Sequence, residues 1–317
     1  MKNQIYPILI RTVFLFILFL ASPFPGQAEE STLSVMSYNI HRGGVVLLKQ
    51  PLSQTAKAIR LAKADIVGIQ ETRSPRGDKL EELAKLLGWN HDIGKGSNIL
   101  TRYEIVDSLY KGVKVKLDSG RHAYVFNVHL SSHPYQPYQL LKMRPKWHKH
   151  TNNITFIKTE AETIEWAKKA RGAEIAKVLR QVKSIPDKQA PVFVMGDFNE
   201  PSHLDWTEAA AKAGRHPIKV AYPTSTEMAK AGFSDSYRKI YPDEMKNPGI
   251  TWSPAYKVGD PRTHHDRIDF VYFKGKGLEV KEVKILGENK ENADLVVTPY
   301  PSDHRAVVAT FTLTNAN

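Results

Sequence analysis

The sequence predicts an α/β fold, on three observations. Apolar runs with strand character recur along the chain, at residues 33–38, 65–70, 123–128, 192–195, 268–273 and 306–313. Between several of them, apolar residues return every three or four positions, as on one face of a helix. Several runs also end on a polar side chain suited to chemistry, and α/β sheets commonly place ligands beyond their strand ends.

The first run alternates apolar and polar residues and delivers Asn39, followed by His41-Arg42-Gly43-Gly44. Leu52, Ala56, Ile59 and Ala62 then fall at helical spacing. A second buried strand, 65–70, ends on Glu71. The helix that follows takes Asp78 as its N-cap, with Glu81 three residues on. It turns Leu80, Leu83, Ala84 and Leu87 inward and stops at Gly88. Residues 98–101 form a short strand with Arg102 at its end. Val113, Val115 and Leu117 alternate with Lys114 and Lys116, and Asp118-Ser119-Gly120 makes a hairpin turn. The return strand, 123–128, is apolar on both faces, which marks it as central, and it delivers His129.

Residues 131–156 show no period. They hold Tyr135, Tyr138 and Trp147 among Lys142, Arg144, Lys146, His148, Lys149 and His150, and Pro134, Pro137 and Pro145 oppose a long helix. So long a loop inside a compact domain is usually functional or disordered. A helix resumes near Lys158, with Ile164, Ala167, Ile175, Val178, Leu179 and Val182 on its inner face, and Pro186 ends it. Next comes VFVMGDFNEP, residues 192–201, a buried strand that runs out through Gly196. Asp197 and Asn199 are two apart and so share a face on an extended chain. One accepts a proton or holds a cation, and the other offers an amide donor. A short helix covers 206–213, and 215–263 is rich in loops. His265-Asp266-Arg267 leads into strand 268–273, which carries Asp269. Pro301-Ser302-Asp303-His304 opens the last strand. There is neither an internal repeat nor a linker, so residues 29–317 form one domain.

Residues 1–28 read as an export signal. Lys2 and Arg11 flank a polar start, 13–20 form an apolar core too short to span a bilayer comfortably, and Gly26-Gln27-Ala28 offers small residues for cleavage. The expectation is a periplasmic or secreted protein with no stable membrane span once the signal is removed. The 317-residue chain has no cysteine, which excludes disulfides and thiolate chemistry. Its formal net charge is +12, and residues 133–190 concentrate the excess, with twelve Lys or Arg against five Asp or Glu. Such a patch favours a polyanion, an anionic lipid surface or a phosphorylated substrate, with mere solubility as the alternative. No protein partner is legible.

Six peptides, MSYNIHRG, GIQET, NVHLSS, MGDFNEP, DRIDFVY and SDHRAV, occur in that order from Met36 to Val307. Together they resemble the endonuclease/exonuclease/phosphatase superfamily, over nearly the whole of 29–317. The resemblance implies a four-layer α/β sandwich, two mixed β-sheets packed face to face with helices outside. It also implies metal-dependent phosphoester hydrolysis with Mg²⁺, or Mn²⁺, as cofactor.

Phosphodiester cleavage needs a divalent cation, an activated water and donors for the developing charge. Glu71 is the best metal carboxylate, with Asn39 and Asp303 completing or supporting that site. Asp197 is placed to orient or deprotonate the attacking water, and Asn199 to donate to a phosphate oxygen. His129 and His304 can contact phosphate and move protons. Either Asp266 or Asp269 should orient His304. Three apart on a strand, they face opposite sides, so only one fills that role. Arg102 sits in a stretch similar to a family motif and is expected near the site. Tyr135, Tyr138 and Trp147 are candidate substrate contacts.

The substrate class stays open at this level. A nuclease-like phosphodiesterase fits the basic patch, whose aromatics suit stacked bases. A phospholipid headgroup or an organophosphate is the close alternative. The competing class is a non-catalytic polyanion binder on the same scaffold.

Overall fold

A computed structural model of the chain describes Met1 and residues 31–45, 49–144, 154–257 and 259–314. Apart from Met1, the expected export signal lies outside them. So do Trp147, Lys146, His148, Lys149 and His150.

The strands, in chain order, are β1 (Ser31–Asn39), β2 (Ile66–Gln70), β3 (Arg73–Ser74), β4 (Gly77–Asp78), β5 (Asn90–Asp92), β6 (Ile99–Thr101), β7 (Glu104–Leu109), β8 (Gly112–Lys116), β9 (His122–His129), β10 (Val192–Asp197), β11 (Ser234–Asp235), β12 (Asp269–Lys274), β13 (Leu278–Gly287), β14 (Leu295–Val296) and β15 (Ala306–Leu313). The helices are α1 (Leu52–Ala62), α2 (Leu80–Leu87), α3 (Gln136–Leu140), α4 (Glu160–Ala167), α5 (Ala173–Ser184), α6 (Glu208–Lys212), α7 (Pro223–Lys230) and α8 (Ser236–Ile240). A seven-stranded sheet runs β14-β13-β15-β1-β2-β6-β5, and a six-stranded sheet runs β11-β12-β10-β9-β8-β7. Both are mixed: β1 is parallel to β2 and antiparallel to β15, while β10 is parallel to β9 and antiparallel to β12.

The period-two alternation of each central strand divides it between two apolar layers. Leu33, Val35, Val125, Phe193, Met195, Val307 and Phe311 point between the sheets into one core. Their neighbours point outward. Met36, Tyr38 and Val308 meet α1 and α2 through Ala56, Ile59, Leu80 and Leu83. Tyr124, Phe126 and Val194 meet α5 and α7 through Ile175, Val178 and Met228. The result is helix, sheet, sheet, helix, the four layers expected. It also explains why 123–128 is apolar on both faces.

One polar tie crosses the inner core. Asn127 of β9 donates through its amide to the carbonyls of Ile69 at 2.9 Å, Ser97 at 2.8 Å and Asn98 at 3.1 Å, and accepts from Gln70 Nε2 at 2.6 Å. These partners lie along β2 and just ahead of β6, in the opposite sheet. Gly68 makes room for it, since a Cβ there would stand 2.7 Å from Asn127 Oδ1 and 2.9 Å from the Met195 methyl.

Some local expectations shift. Lys79, not Asp78, is the N-cap of α2 and makes no side-chain cap bond. Asp78 still accepts the Leu80 amide at 3.0 Å from one residue further out, while Glu81 pairs with Lys85, so no capping box forms. Leu87 is only half-buried. A capping box does occur at α4, between Thr159 and Glu162. Within 131–156 the chain makes the five-residue α3, with proline in its first turn. The ten-residue β13 has no counterpart among the strands expected from the sequence, and it pairs with β15 along most of its length.

Asn127→Ala removes the side-chain donor of two buried carbonyls, Ile69 and Ser97, and weakens the bonding of the partly buried Asn98 carbonyl, which the Ile69 amide also bonds. We expect a destabilisation of about 3 kcal/mol, read as a lower midpoint of denaturant unfolding with the slope unchanged.

Candidate active site

Strand register assembles the site. Asp197, the last residue of β10, stands directly opposite His129 on β9 and opposite Asp269 on β12. Three adjacent strands of one sheet thus bring three polar residues into line. In the other sheet Asn39 stands opposite Gln70, and Glu71 follows one residue beyond. The Asn39 amide joins the two groups, donating to Glu71 Oε1 at 3.2 Å and to Asp197 Oδ2 at 3.0 Å. Gly196 permits the approach of β10 to β9: its φ is +148°, and a Cβ would lie 2.0 Å from the Val128 carbonyl oxygen. Glycine serves close strand packing here, not a turn or a ligand.

The loops beyond these ends hold left-handed backbone at non-glycine residues. His41 has φ +48°, Arg42 +49°, Glu71 +57° and Asn199 +49°. Such strain, of order 1–3 kcal/mol per residue, concentrates at functional sites. Here it is held by hydrogen bonds. Asn39 Oδ1 accepts the His41 amide, Glu71 Oε2 the Arg42 amide, and Asp197 Oδ1 the Asn199 amide.

His304 is buried and donates through Nδ1 to Asp269 Oδ2 at 3.0 Å. Its Nε2 lies 3.8 Å from Asp197 Oδ2, and His129 Nε2 lies 3.6 Å from the same oxygen. Burial works against the imidazolium, but Asp269, Asp197 and Asp303 outweigh it and raise His304 to about 10. The surrounding carboxylates thus favour the charged form of the ring over the neutral one. Burial also raises the Asp269 carboxyl, while His304 pulls it down. The pair stands as a buried carboxylate and imidazolium. Asp303 accepts from His41 Nδ1 at 3.0 Å. Burial opposes its charge, yet His41 and His304 hold it below the usual carboxylate range.

Glu71, His129, Asp197, Asn199, Asp303 and His304 line one cavity of about 290 Å³, with His41 on the same wall and Asn39 behind it. Asp303 Oδ1 is buried without a hydrogen-bond partner. With Glu71 across the cavity, the donors are oxygen-rich, which suits a hard divalent cation. Asp197, Asp269 and His304 also bring donor atoms within 4.8 Å of one another. Within that trio His304 and Asp269 are also paired directly with each other at 3.0 Å.

The choice left open between Asp266 and Asp269 falls to Asp269. Asp266 faces away, accepting from the Tyr135 hydroxyl at 2.6 Å and from Trp206 Nε1 at 2.9 Å. Arg102 is not near the cavity. It lies at the opposite end of β2, where its amide bonds Asp65 O and its guanidinium pairs with Asp65 and Asp118. Tyr135 and Tyr138 do line the cavity, but they are buried wall residues, packed edge to face at 4.9 Å and tied to Asp266 and Thr263. Each exposes less than a tenth of its surface. Asn199 spends one amide hydrogen on the Leu130 carbonyl at 3.0 Å and keeps a second.

Three contributors carry little signal in the sequence. His41 stands beside Asn39, but nothing local points to its partner Asp303. Trp252, in the loop-rich region, lies 4.7 Å from the His304 ring. Glu200, inside MGDFNEP, is fully buried and meets the equally buried Arg171 at 3.6 Å. Arg171 also donates to Gln136 Oε1 at 2.7 Å and to the Pro134 carbonyl at 3.0 Å, fixing the segment before α3. It projects from a π-helical turn, Lys168–Gly172, between α4 and α5. Such turns are frequent at functional sites.

Known proteins resemble this chain in sequence and in fold. The Endonuclease/Exonuclease/phosphatase family model matches residues 36–304. An uncharacterized protein of Caenorhabditis elegans is 30% identical over 332 residues, covering 96% of this chain and 99% of its own. An endonuclease/exonuclease/phosphatase from Beutenbergia cavernae has a similar structure, with 17% identity, 90% of this chain and 72% of that chain covered, and a TM-score of 0.54. A family protein from Bacteroides thetaiotaomicron gives 15%, 91%, 98% and 0.51. TDP2 of D. rerio, complexed with single strand DNA product, gives 18%, 89%, 99% and 0.50. At these identities the structural likeness is one of fold.

The raised His304 value links stability to pH. The folded value lies above the ordinary 6.5, so the contribution is complete below about pH 6.5 and is lost as pH rises through about 10. In chelator, the stability gap between the wild type and His304→Gln should narrow over that window, as measured by denaturant unfolding at stepped pH. Separately, Glu200→Gln strands a buried guanidinium and should cost about 3 kcal/mol or more.

Proposed function

The chain belongs to the endonuclease/exonuclease/phosphatase family, whose members are phosphoester hydrolases, and on that premise we propose that it is an exported, Mg²⁺-dependent phosphodiesterase acting on nucleic acid. The observation that carries the catalytic part is the shared cavity, in which Asp197 is flanked by two imidazoles and faced by Glu71 and Asp303.

In this reading Glu71 and the unpartnered oxygen of Asp303 hold the cation, and Asn39 keeps the Glu71 and Asp197 carboxylates at a fixed separation. When bound, Mg²⁺ supplies Lewis-acid polarisation of the phosphoryl group and offsets its charge. Asp197 orients the attacking water and takes its proton. The His304 imidazolium, held by Asp269, donates to a phosphoryl oxygen as negative charge builds there. The second Asn199 amide hydrogen serves the same oxygens. His129, more than a third exposed at its side chain, meets the substrate on the open side. Donors fixed before the reaction need no reorganisation during it, which is where such sites gain most.

Nucleic acid is favoured over the alternatives by the basic surplus of 133–190 and by the fold shared with a DNA-product complex of TDP2. A phospholipid headgroup or an organophosphate is the second reading. Among the described residues, no helix is long and apolar enough to cross a membrane. Export rests on the composition of residues 1–28, and N-terminal sequencing of protein recovered outside the cell tests it, since an intact Met1 there refutes cleavage.

Hydrolysis of bis-p-nitrophenyl phosphate should require Mg²⁺ and stop in chelator, with Glu71→Gln lowering kcat on the order of 100-fold or more. Retention of tight polyanion binding with no metal-dependent turnover would instead favour the non-catalytic binder. With DNA, RNA, sphingomyelin and inositol phosphates offered in parallel, nucleic-acid cleavage should fall steeply with salt and weaken when Lys142 and Arg144 are neutralised. Preference for the lipid with no salt effect would displace the nuclease reading.

A further inference from the structure

A second cluster of ligating side chains lies behind the active cavity. His216 Nδ1 and His264 Nε2 are 3.3 Å apart, and the same His264 nitrogen is 3.7 Å from Asp266 Oδ1. All three donor atoms fall within 4.8 Å of one another. They open onto a separate cavity of about 680 Å³, the larger of the two. Both histidines are only partly buried, so an ion can reach them from it.

We propose that His216, His264 and Asp266 form an accessory site for a late first-row divalent cation, with Zn²⁺ as the fitting ion. Tetrahedral zinc with bonds of about 2.0–2.1 Å holds its donor atoms about 3.3–3.4 Å apart. Two of the separations here are already close to that. Two imidazoles and one carboxylate also form the mixed nitrogen and oxygen donor set that zinc prefers and Mg²⁺ does not. The three ligands line the larger cavity, which leaves room for water to complete the coordination.

The surroundings are built to hold these groups still. Trp206, itself buried, donates its indole N–H to Asp266 Oδ1 at 2.9 Å and stacks on the His216 ring at 4.1 Å with an 11° tilt. One side chain therefore orients two of the three ligands, the outer-shell support that metal sites commonly show. The other Asp266 oxygen accepts the Tyr135 hydroxyl, and the Tyr135 ring is a wall of the active cavity. An ion at this site would brace the loops carrying His216 and His264 against the segment that carries Tyr135.

The test is zinc binding by the full chain under saturating Mg²⁺, followed by equilibrium dialysis with metal analysis and by Co²⁺ absorption. We expect one equivalent of Zn²⁺ and, with Co²⁺, the intense visible bands of a tetrahedral site. His216→Gln and His264→Gln should each weaken binding by roughly 10–100-fold or more while leaving the circular dichroism of the metal-free protein unchanged. Glu71→Gln keeps every residue of the cluster and should retain the equivalent and the spectrum, which covers the case in which a histidine variant fails to fold. Zinc lost in Glu71→Gln but kept in the histidine variants would place the ion in the active cavity and overturn the proposal. No zinc uptake, or a weak octahedral Co²⁺ spectrum, would overturn it as well and leave the two imidazoles as a simple hydrogen-bonded pair.

Discussion

The site depends on one amide. Asn39 Nδ2 reaches Glu71 in its own sheet and Asp197 in the facing sheet, and no other side chain touches both carboxylates among the described hydrogen bonds. Two carboxylates brought together from separate sheets repel, and a buried donor between them fixes their spacing and offsets part of that repulsion. The requirement propagates backward into the fold. β1 and β10 must be central, their C-terminal ends must meet, and the inner core must keep the sheets aligned closely enough for them to do so. The Asn127 tie and the space at Gly68 serve that alignment one layer deeper.

Buried charge is distributed along one short segment. In DRIDFVY, Asp266 bonds Tyr135 and Trp206, Arg267 pairs with Asp205 and Asp235 at 2.9 and 2.8 Å, and Asp269 holds His304. Asp266 and Asp269 sit on opposite sides of the strand entry, so Asp266 lines the larger cavity while Asp269 supports the wall of the smaller through His304. The segment between them is anchored by a buried ion-pair network and cannot slide. A one-residue slip would exchange these faces and leave several charges buried without partners.

This pattern also marks how far the sequence could be read. Strand periodicity and polar strand ends located Asn39, Glu71, His129, Asp197 and Asp303-His304, because register along a strand is a local property. The four layers agree with strands apolar on both faces, such as 123–128, which a sheet covered on each side explains. The decision between Asp266 and Asp269 was beyond reach, since spacing gives opposite faces but not which face looks at His304. The expectation for Arg102 rests on similarity to a family motif alone, and because β6 runs antiparallel to β2 its C-terminal end carries Arg102 to the edge of the sheet away from the cavity. For Tyr135 and Tyr138 the sequence allows either contact with substrate or packing on the sheet, and only the partners Asp266 and Thr263, more than a hundred residues away, show them to be buried cavity walls. β13 carries an alternating pattern that is there to be read, whereas Trp252 enters through a loop contact with no local signature.

The π turn at Lys168–Gly172 fixes the phase between two stretches of helix. Each residue added to or taken from an α-helix rotates the remainder of the helix by about 100°. A single deletion in this turn would regularise the backbone, yet it would swing either Arg171 or the apolar stripe of α5 off its partner. Ordinary surface helices accommodate such indels by sliding on their neighbours. This one is pinned at both ends, by a guanidinium on one side and by packed aliphatics on the other, so the segment should show little freedom of length however freely its exposed lysines are replaced.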